Sequence, residues 1–429
     1  MIFKYIHQYM ELLRNIHQTD KVVKLQVLLI SLGLLGYELI SFVPAKLGLD
    51  SRVFTVPYRA FYLGVTLLCL FTLKERRRIE FNNATKVLFL FWGLYIMRLF
   101  HDTIFAADEV YRPLADYWLF AIALCFLPMI AFLFPVNSKT LHAALLYSYI
   151  FAVLVNVLGY NNNLGTTSDV DVDTRKAGNE FLNAISYGQA GANLVVLAIC
   201  VFFRYKQKSK YAFLLLLPIP FGLINIGLSG SRGPFIQLMI AFLVFFFLYL
   251  KSGKGKFIVI FLMLGFIALY FSLQDSAFFD ILFRRLSSTS NTNNTSDKLR
   301  YEMMHTAWNQ FQDNPIFGDL IEVRKYHFYP HNLILEAMMA CGLLGGICML
   351  ILYVSSLKNS FRLMLDFDIN WIAMICIMQV VGGLTTGSLF GSQKLWFTMA
   401  LLNNYYVHTR KRQSRLLQYR RNEFIINAQ

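Results

Sequence analysis

Three short segments of this chain carry side chains suited to holding a phosphate and moving a proton. The first is Gly230-Ser231-Arg232-Gly233-Pro234. Gly227, Gly230 and Gly233 permit close backbone approach, and Pro234 suits the first turn of the apolar run that follows. A helix starting there presents free N–H groups beside the Arg232 guanidinium, which makes a site for a phosphate. The competing reading of Arg232 is a snorkelling anchor at a membrane edge. The second segment is Asp297-Lys298-Leu299-Arg300-Tyr301-Glu302. Leu299, Met303, Ala307 and Phe311 recur every four residues, so a short amphipathic helix is expected. Ser296 or Asp297 would cap it and Asn314-Pro315 would end it. Arg300 falls in its first turn, pointing back over the membrane core or out into solvent. The third segment, Tyr329-Pro330-His331-Asn332, opens another apolar run, which carries Glu336 and the string Cys341-Gly342-Leu343-Leu344-Gly345-Gly346. A histidine can take or share a proton near neutral pH, and a neighbouring phosphate site would give that capacity a use. A lone histidine at an interface also serves as a purely structural residue.

Further candidates surround these three. Arg98 is a cation inside an apolar run, which by itself suggests function. Arg284, Arg285, Arg324, Lys325, His305 and His327 lie in or near the same long loop, and Arg284 or Arg285 is an alternative to Arg300. Tyr329 and Asn332 flank His331 and are candidate substrate contacts. The acidic residues Asp169, Asp171, Asp173 and Glu180 lack the glycine and terminal glutamate of a calcium loop. The six cysteines (Cys69, Cys125, Cys200, Cys341, Cys348 and Cys376) all fall in apolar runs without metal-ligand spacing, and read as small apolar fillers. No metal and no cofactor are therefore expected. No GxSxG, HExxH, Walker or GxGxxG element occurs.

The elements that must position these residues are membrane spans. Of the 429 residues 56% are apolar, and only 15% are charged against about 25% in soluble domains. With 40 phenylalanines, that much apolar surface needs lipid to cover it. Runs near 22–43, 57–73, 84–100, 116–134, 139–160, 186–204, 211–228, 233–250, 256–273, 331–356, 369–388 and 392–408 give an all-α polytopic protein of about twelve spans. The net charge of +15 resides in alternate connecting segments, Lys74 to Arg78, Arg204 to Lys210, Lys251 to Lys256, and a basic tail over 409–429. The positive-inside rule makes these cytoplasmic, with both termini. The opposite segments, 102–116, 161–185 and the long loop 274–330, are acidic or neutral and are then extracytoplasmic. This loop asymmetry, with basic residues confined to short segments between spans, argues against nucleic-acid binding. No cleavable signal peptide and no internal repeat are apparent, and the whole chain 1–429 reads as one membrane domain. The Ser/Thr/Asn-rich run 287–296 reads as a loop tip.

In the order and spacing of Gly-Leu-Ser-Gly-Ser-Arg232-Gly, Arg300-Tyr-Glu-Met-Met, Asn-Pro315-Ile-Phe-Gly318 and Pro-His331-Asn332-Leu-Ile-Leu-Glu336 with Gly342 and Gly345, the chain resembles the O-antigen ligase and O-antigen polymerase superfamily. The resemblance covers roughly residues 186–356. It implies a GT-C-like glycosyltransferase of the bacterial inner membrane, working at the periplasmic face without metal or nucleotide sugar. The implied donor is an undecaprenyl-diphosphate-linked oligosaccharide, with Arg232 and Arg300 on the diphosphate and His331 activating or orienting an acceptor glycan. A chain-length regulator is an implied partner. The long loop lacks the insertions of many ligases, which favours a polymerase over a ligase to lipid A-core, with a flippase for the same lipid as the reading from another class.

Overall fold

The computed structural model describes residues 21–41, 52–76, 78–163, 184–206, 209–229, 231–251 and 295–427. The expected span 256–273, the residues Arg284 and Arg285, and the acidic cluster from Asp169 to Glu180 lie outside these residues, as does Gly230. The described chain is helical. In order the helices are α1 (Lys21–Ser41), α2 (Arg52–Arg76), α3 (Asn83–Phe105), α4 (Leu114–Phe132), α5 (Ser138–Asn163), α6 (Ala184–Tyr205), α7 (Ile219–Leu228), α8 (Arg232–Lys251), α9 (Thr295–Asp313), α10 (Leu333–Leu363), α11 (Asn370–Gly383) and α12 (Gln393–Asn427).

Among the described residues eight helices are long and apolar enough to cross a membrane: α1 to α6, α8 and α10. The apolar stretch Ala212–Leu228 and α11 are shorter. The 14 residues of α11 reach about 21 Å at 1.5 Å per residue, less than a bilayer core of about 30 Å. The expected basic tail from 409 continues α12 as helix to Asn427. Helix faces sort as lipid and protein demand. On α8, Gln237, Leu238, Ala241, Phe242, Phe245 and Tyr249 are buried, while Ile236, Met239, Leu243, Phe247 and Leu250 form an exposed apolar stripe at three- and four-residue spacing. On α10, Leu343, Leu344, Ile347, Leu350, Ile351 and Val354 are exposed in the same way. Such stripes carry no penalty in lipid. In water each exposed large side chain would forgo about 1.5–3 kcal/mol of burial. Inside, the rings of Phe91, Trp92 and Trp396 pack at 5.1–6.4 Å, Phe91 stacked on Trp396 and Trp92 edge-on to both, and the six cysteines are free and buried.

Polar pairs pin the two ends of the bundle. At one end Asn82 and Asn403 exchange amide hydrogen bonds at 3.1 and 3.2 Å, and Arg204 donates to His142 at 2.7 Å and forms an ion pair with Asp368. At the other end α3 finishes, α8, α10 and α12 begin, and α9 with its following loop packs on α10 and on the end of α3.

That loop is stitched into α10. The helix breaks at Gly342, where φ is 68° and ψ is −167°. Leu343 N–H donates to Pro315 O at 2.8 Å, and Asp319 N–H donates to Met339 O at 2.8 Å. Backbone groups freed by the break are thus satisfied by the loop. A Cβ on Gly342 would strike the carbonyl of Ile316, and one on Gly318 (φ 77°) would strike the carbonyl of Ala340. Gly342→Ala is accordingly expected to destabilise the fold by about 2–4 kcal/mol through backbone strain and overpacking. Gly64→Ala and Gly93→Ala, with nothing within 4 Å of the added carbon, serve as controls. Thermal melts in detergent decide this: equal melting of all three variants would remove the strain argument.

Candidate active site

The sequence places Arg232 and His331 at helix starts, and the structure links those starts through the end of α11. Arg232 is the first residue of α8, with Pro234 in its first turn, and is half-buried. One turn on, Gln237 packs on Gly382 of α11. The next residue, Gly383, packs on Leu333 of α10, and Leu384 O accepts from Asn332 Nδ2 at 3.2 Å. The end of α11 therefore bridges the first turns of α8 and α10.

His331 sits two residues before α10, rather than within it as the span 331–356 had it. Its φ is 61°, uncommon for a residue with a side chain and worth a functional explanation. Asn332 causes this entry. Its Oδ1 caps α10 by accepting from Ile334 N and Leu335 N, both at 3.1 Å. With its amide also bound to Leu384, Asn332 orients the neighbouring histidine through the backbone. The imidazole packs against the rings of Tyr329 at 4.7 Å and Phe328 at 5.6 Å. Its Nδ1 is buried without a hydrogen-bond partner among the described residues. Burial, and after it the charge of Arg300, hold the imidazole at a pKa of about 4, so it is neutral at neutral pH.

Arg300 reaches that position on α9. Met303, Ala307 and Phe311 are buried as the stripe predicts, whereas Leu299 is exposed. The helix starts at Thr295, which puts Ser296 and Asp297 in its first turn instead of at the cap. Ala307 packs with Val323 and Met339, and Tyr326 Oη donates to Glu302 Oε2 at 2.9 Å, tying α9 to the loop before His331. The charge of Arg300 acts on both His331 and Tyr329. Burial, with Glu336 next, raises the Tyr329 phenol, which stays protonated.

Other expected site residues are held elsewhere. The Arg98 guanidinium donates to the carbonyls of Phe317, Gly318, Asp319 and Ala340 at 2.7–2.9 Å and to Asp102 at 3.2 Å. It holds the stitched loop against α3 and α10. Arg324 pairs with Asp319 through two contacts of 2.7 Å and with Glu109. His305 is exposed beside Asn309, and the exposed His327 ring lies against Tyr111.

Glu322 and Arg112 escaped the sequence reading, and Glu336 was named there without a role. Glu322 is buried and accepts from Tyr111 N, Arg112 N and Tyr117 Oη at 2.7–3.2 Å, joining the 107–113 segment to the loop before His331. Glu336, 1% exposed, accepts from Leu389 N at 3.0 Å, while its Oε2 has no hydrogen-bond partner among the described residues. An acid inside an apolar run was the available signal. Arg112 lies in a loop read as acidic or neutral, and its guanidinium sits 5.1 Å over the Phe390 ring. Together the geometry offers a neutral, unpartnered imidazole nitrogen in a cationic field near two helix N-termini. Such a place can hold an oxyanion and accept a proton. Among the described residues no group of three His, Cys, Asp or Glu side chains is arranged to hold a metal ion.

Residues 219–318 match a family model described as O-antigen ligase. The match spans α7, α8, α9 and Gly318, takes in Arg232 and Arg300, and stops before His331. It supports the O-antigen ligase and polymerase superfamily, whose members are membrane glycosyltransferase-like enzymes. No curated protein matches the chain.

Proposed function

From a place in that superfamily as a multi-pass membrane protein, we propose that the chain polymerises glycan repeat units carried on undecaprenyl diphosphate, at the periplasmic face of the bacterial inner membrane and with both termini cytoplasmic. The observation that carries the reading is His331, strained, neutral and unpartnered at Nδ1 beside the charge of Arg300. The acceptor hydroxyl oxygen attacks the anomeric carbon of the donor. The bond from that carbon to the diphosphate oxygen breaks, and undecaprenyl diphosphate leaves with the bonding electrons. The hydroxyl proton passes to the imidazole. Arg232 at the start of α8 and Arg300 stabilise the charge growing on the leaving diphosphate, a task that two guanidinium groups and helix N–H groups perform without a metal.

Donor binding also tunes the base. A free imidazole at about 4 is weak, because burial, and after it Arg300, disfavours its cation. A bound diphosphate offsets that charge and raises the imidazole toward its working range. The same chemistry with lipid A-core as acceptor is the second reading, favoured by the description of the matched family. A deletion strain separates the two. Lipid A-core capped with a single repeat supports the polymerase, and uncapped core with accumulated lipid-linked polymer supports the ligase. Surface glycan of wild-type length and amount removes both. Transfer by the purified protein is expected to persist in excess EDTA. Loss of activity that magnesium restores would overturn the metal-free step.

A further inference from the structure

We infer that Arg112 is a third cation for the donor diphosphate, acting with Arg300 across Tyr329. The inference rests on the donor class proposed above and extends it to a residue outside the matched stretch. Arg112 is half-buried. Among the described residues its guanidinium has neither a carboxylate nor a hydrogen-bond partner; its one described contact is the face of Phe390. Cations withdrawn from water without a counter-charge are costly, and Arg98, Arg204 and Arg324 in this protein all have acidic partners.

The surroundings fix where Arg112 stands. Its backbone N–H is held by Glu322 Oε1 at 3.2 Å, and the adjacent Tyr111 ring packs on His327 at 5.6 Å. Phe390, beneath the guanidinium, is also clamped by the Tyr117 ring at 4.6 Å. Its neighbour Leu389 donates to Glu336, in the first turn of α10 just after His331. Arg112 is thus tied from two directions to the segment that carries the imidazole. Its charge, like that of Arg300, is felt at Tyr329, whose ring touches His331. Two guanidinium groups on separate elements thus act on one phenol beside a neutral base. A group with two adjacent anionic centres fits that field better than a lone carboxylate, and the planar fork of arginine matches phosphate oxygens.

The test uses the full chain in nanodiscs and undecaprenyl diphosphate without glycan as the probe. Arg112→Gln is expected to weaken binding about tenfold, near 1.4 kcal/mol, and Arg112→Lys to fall between it and wild type. The lysine keeps a cation over Phe390 and so remains informative if the glutamine variant fails to fold. Wild-type affinity in either variant overturns the assignment. If wild-type protein binds neutral undecaprenol as tightly as the diphosphate, the donor reading itself fails, and this inference fails with it.

Discussion

Replacing His331 by alanine is expected to slow glycan transfer by about 10²–10⁴, the usual worth of a placed general base, with the protein still inserted at normal abundance. The side chain projects from a residue outside α10, and Asn332 rather than His331 caps that helix. Truncation therefore removes a proton acceptor and no major support. Arg232→Ala and Arg300→Ala should each cost about 10²–10³ by removing a stabiliser of the leaving group. Polymer of wild-type length and rate in the His331→Ala strain would end its role as base. The pH profile gives an independent reading. The neutral imidazole is the active form, so rate falls as pH falls through its pKa. For the free enzyme, read in kcat/KM, that limb lies near 4. With donor bound, read in kcat, it lies higher. In Arg300→Gln the free-enzyme limb moves up, because a repelling charge is gone. An unmoved limb would separate Arg300 from His331.

Arg98→Ala is expected to remove the protein from the membrane altogether. The Arg98 side chain is 9% exposed and Asp102 is fully buried. Taking away the guanidinium strands a buried carboxylate, at about 3–5 kcal/mol, and leaves the part-buried carbonyls of Gly318, Asp319 and Ala340 each short of a donor at about 1–3 kcal/mol. That sum exceeds the net stability of most domains, about 5–15 kcal/mol, at its lower end. Immunoblots of membranes separate the two classes of variant: full abundance without activity for His331→Ala, and depletion for Arg98→Ala. Normal abundance of Arg98→Ala with weakened donor binding would return Arg98 to the substrate contacts that the sequence suggested.

The contrast shows what the sequence could reveal. Helix positions were legible because runs of apolar residues near twenty have few alternatives in a chain this poor in charge. The expected runs 84–100, 186–204 and 233–250 became Asn83–Phe105, Ala184–Tyr205 and Arg232–Lys251. The stripe of α9 was legible through its four-residue period, apart from Leu299. The bonds that organise the site join residues more than 200 positions apart, Arg98 to Gly318 and Tyr117 to Glu322 among them, and leave no local pattern. The break at Gly342 was hidden for a related reason. Glycine in an apolar run suits close helix contact and a left-handed kink equally, and only the incoming Ile316 carbonyl distinguishes them. Arg112 was passed over because its loop was read by net charge, which averages away a single cation.

The Arg98 clamp also bears on biogenesis. A chain entering the membrane from its N-terminus delivers Arg98 about 220 residues ahead of the Gly318 carbonyl that will receive it. During that interval the carboxylate of Asp102, one turn along the same helix, is already made, with the His101 ring beside it. The acid therefore acts as an internal chaperone for the cation, letting α3 enter lipid as a near-neutral rod. When the 315–319 segment arrives, the pair is already in place to receive it, with Arg98 taking its carbonyls and Asp102 the Ile321 N–H. Locking of this cap onto the bundle is then a late event in synthesis, completed only after nearly all of the helices have been laid down.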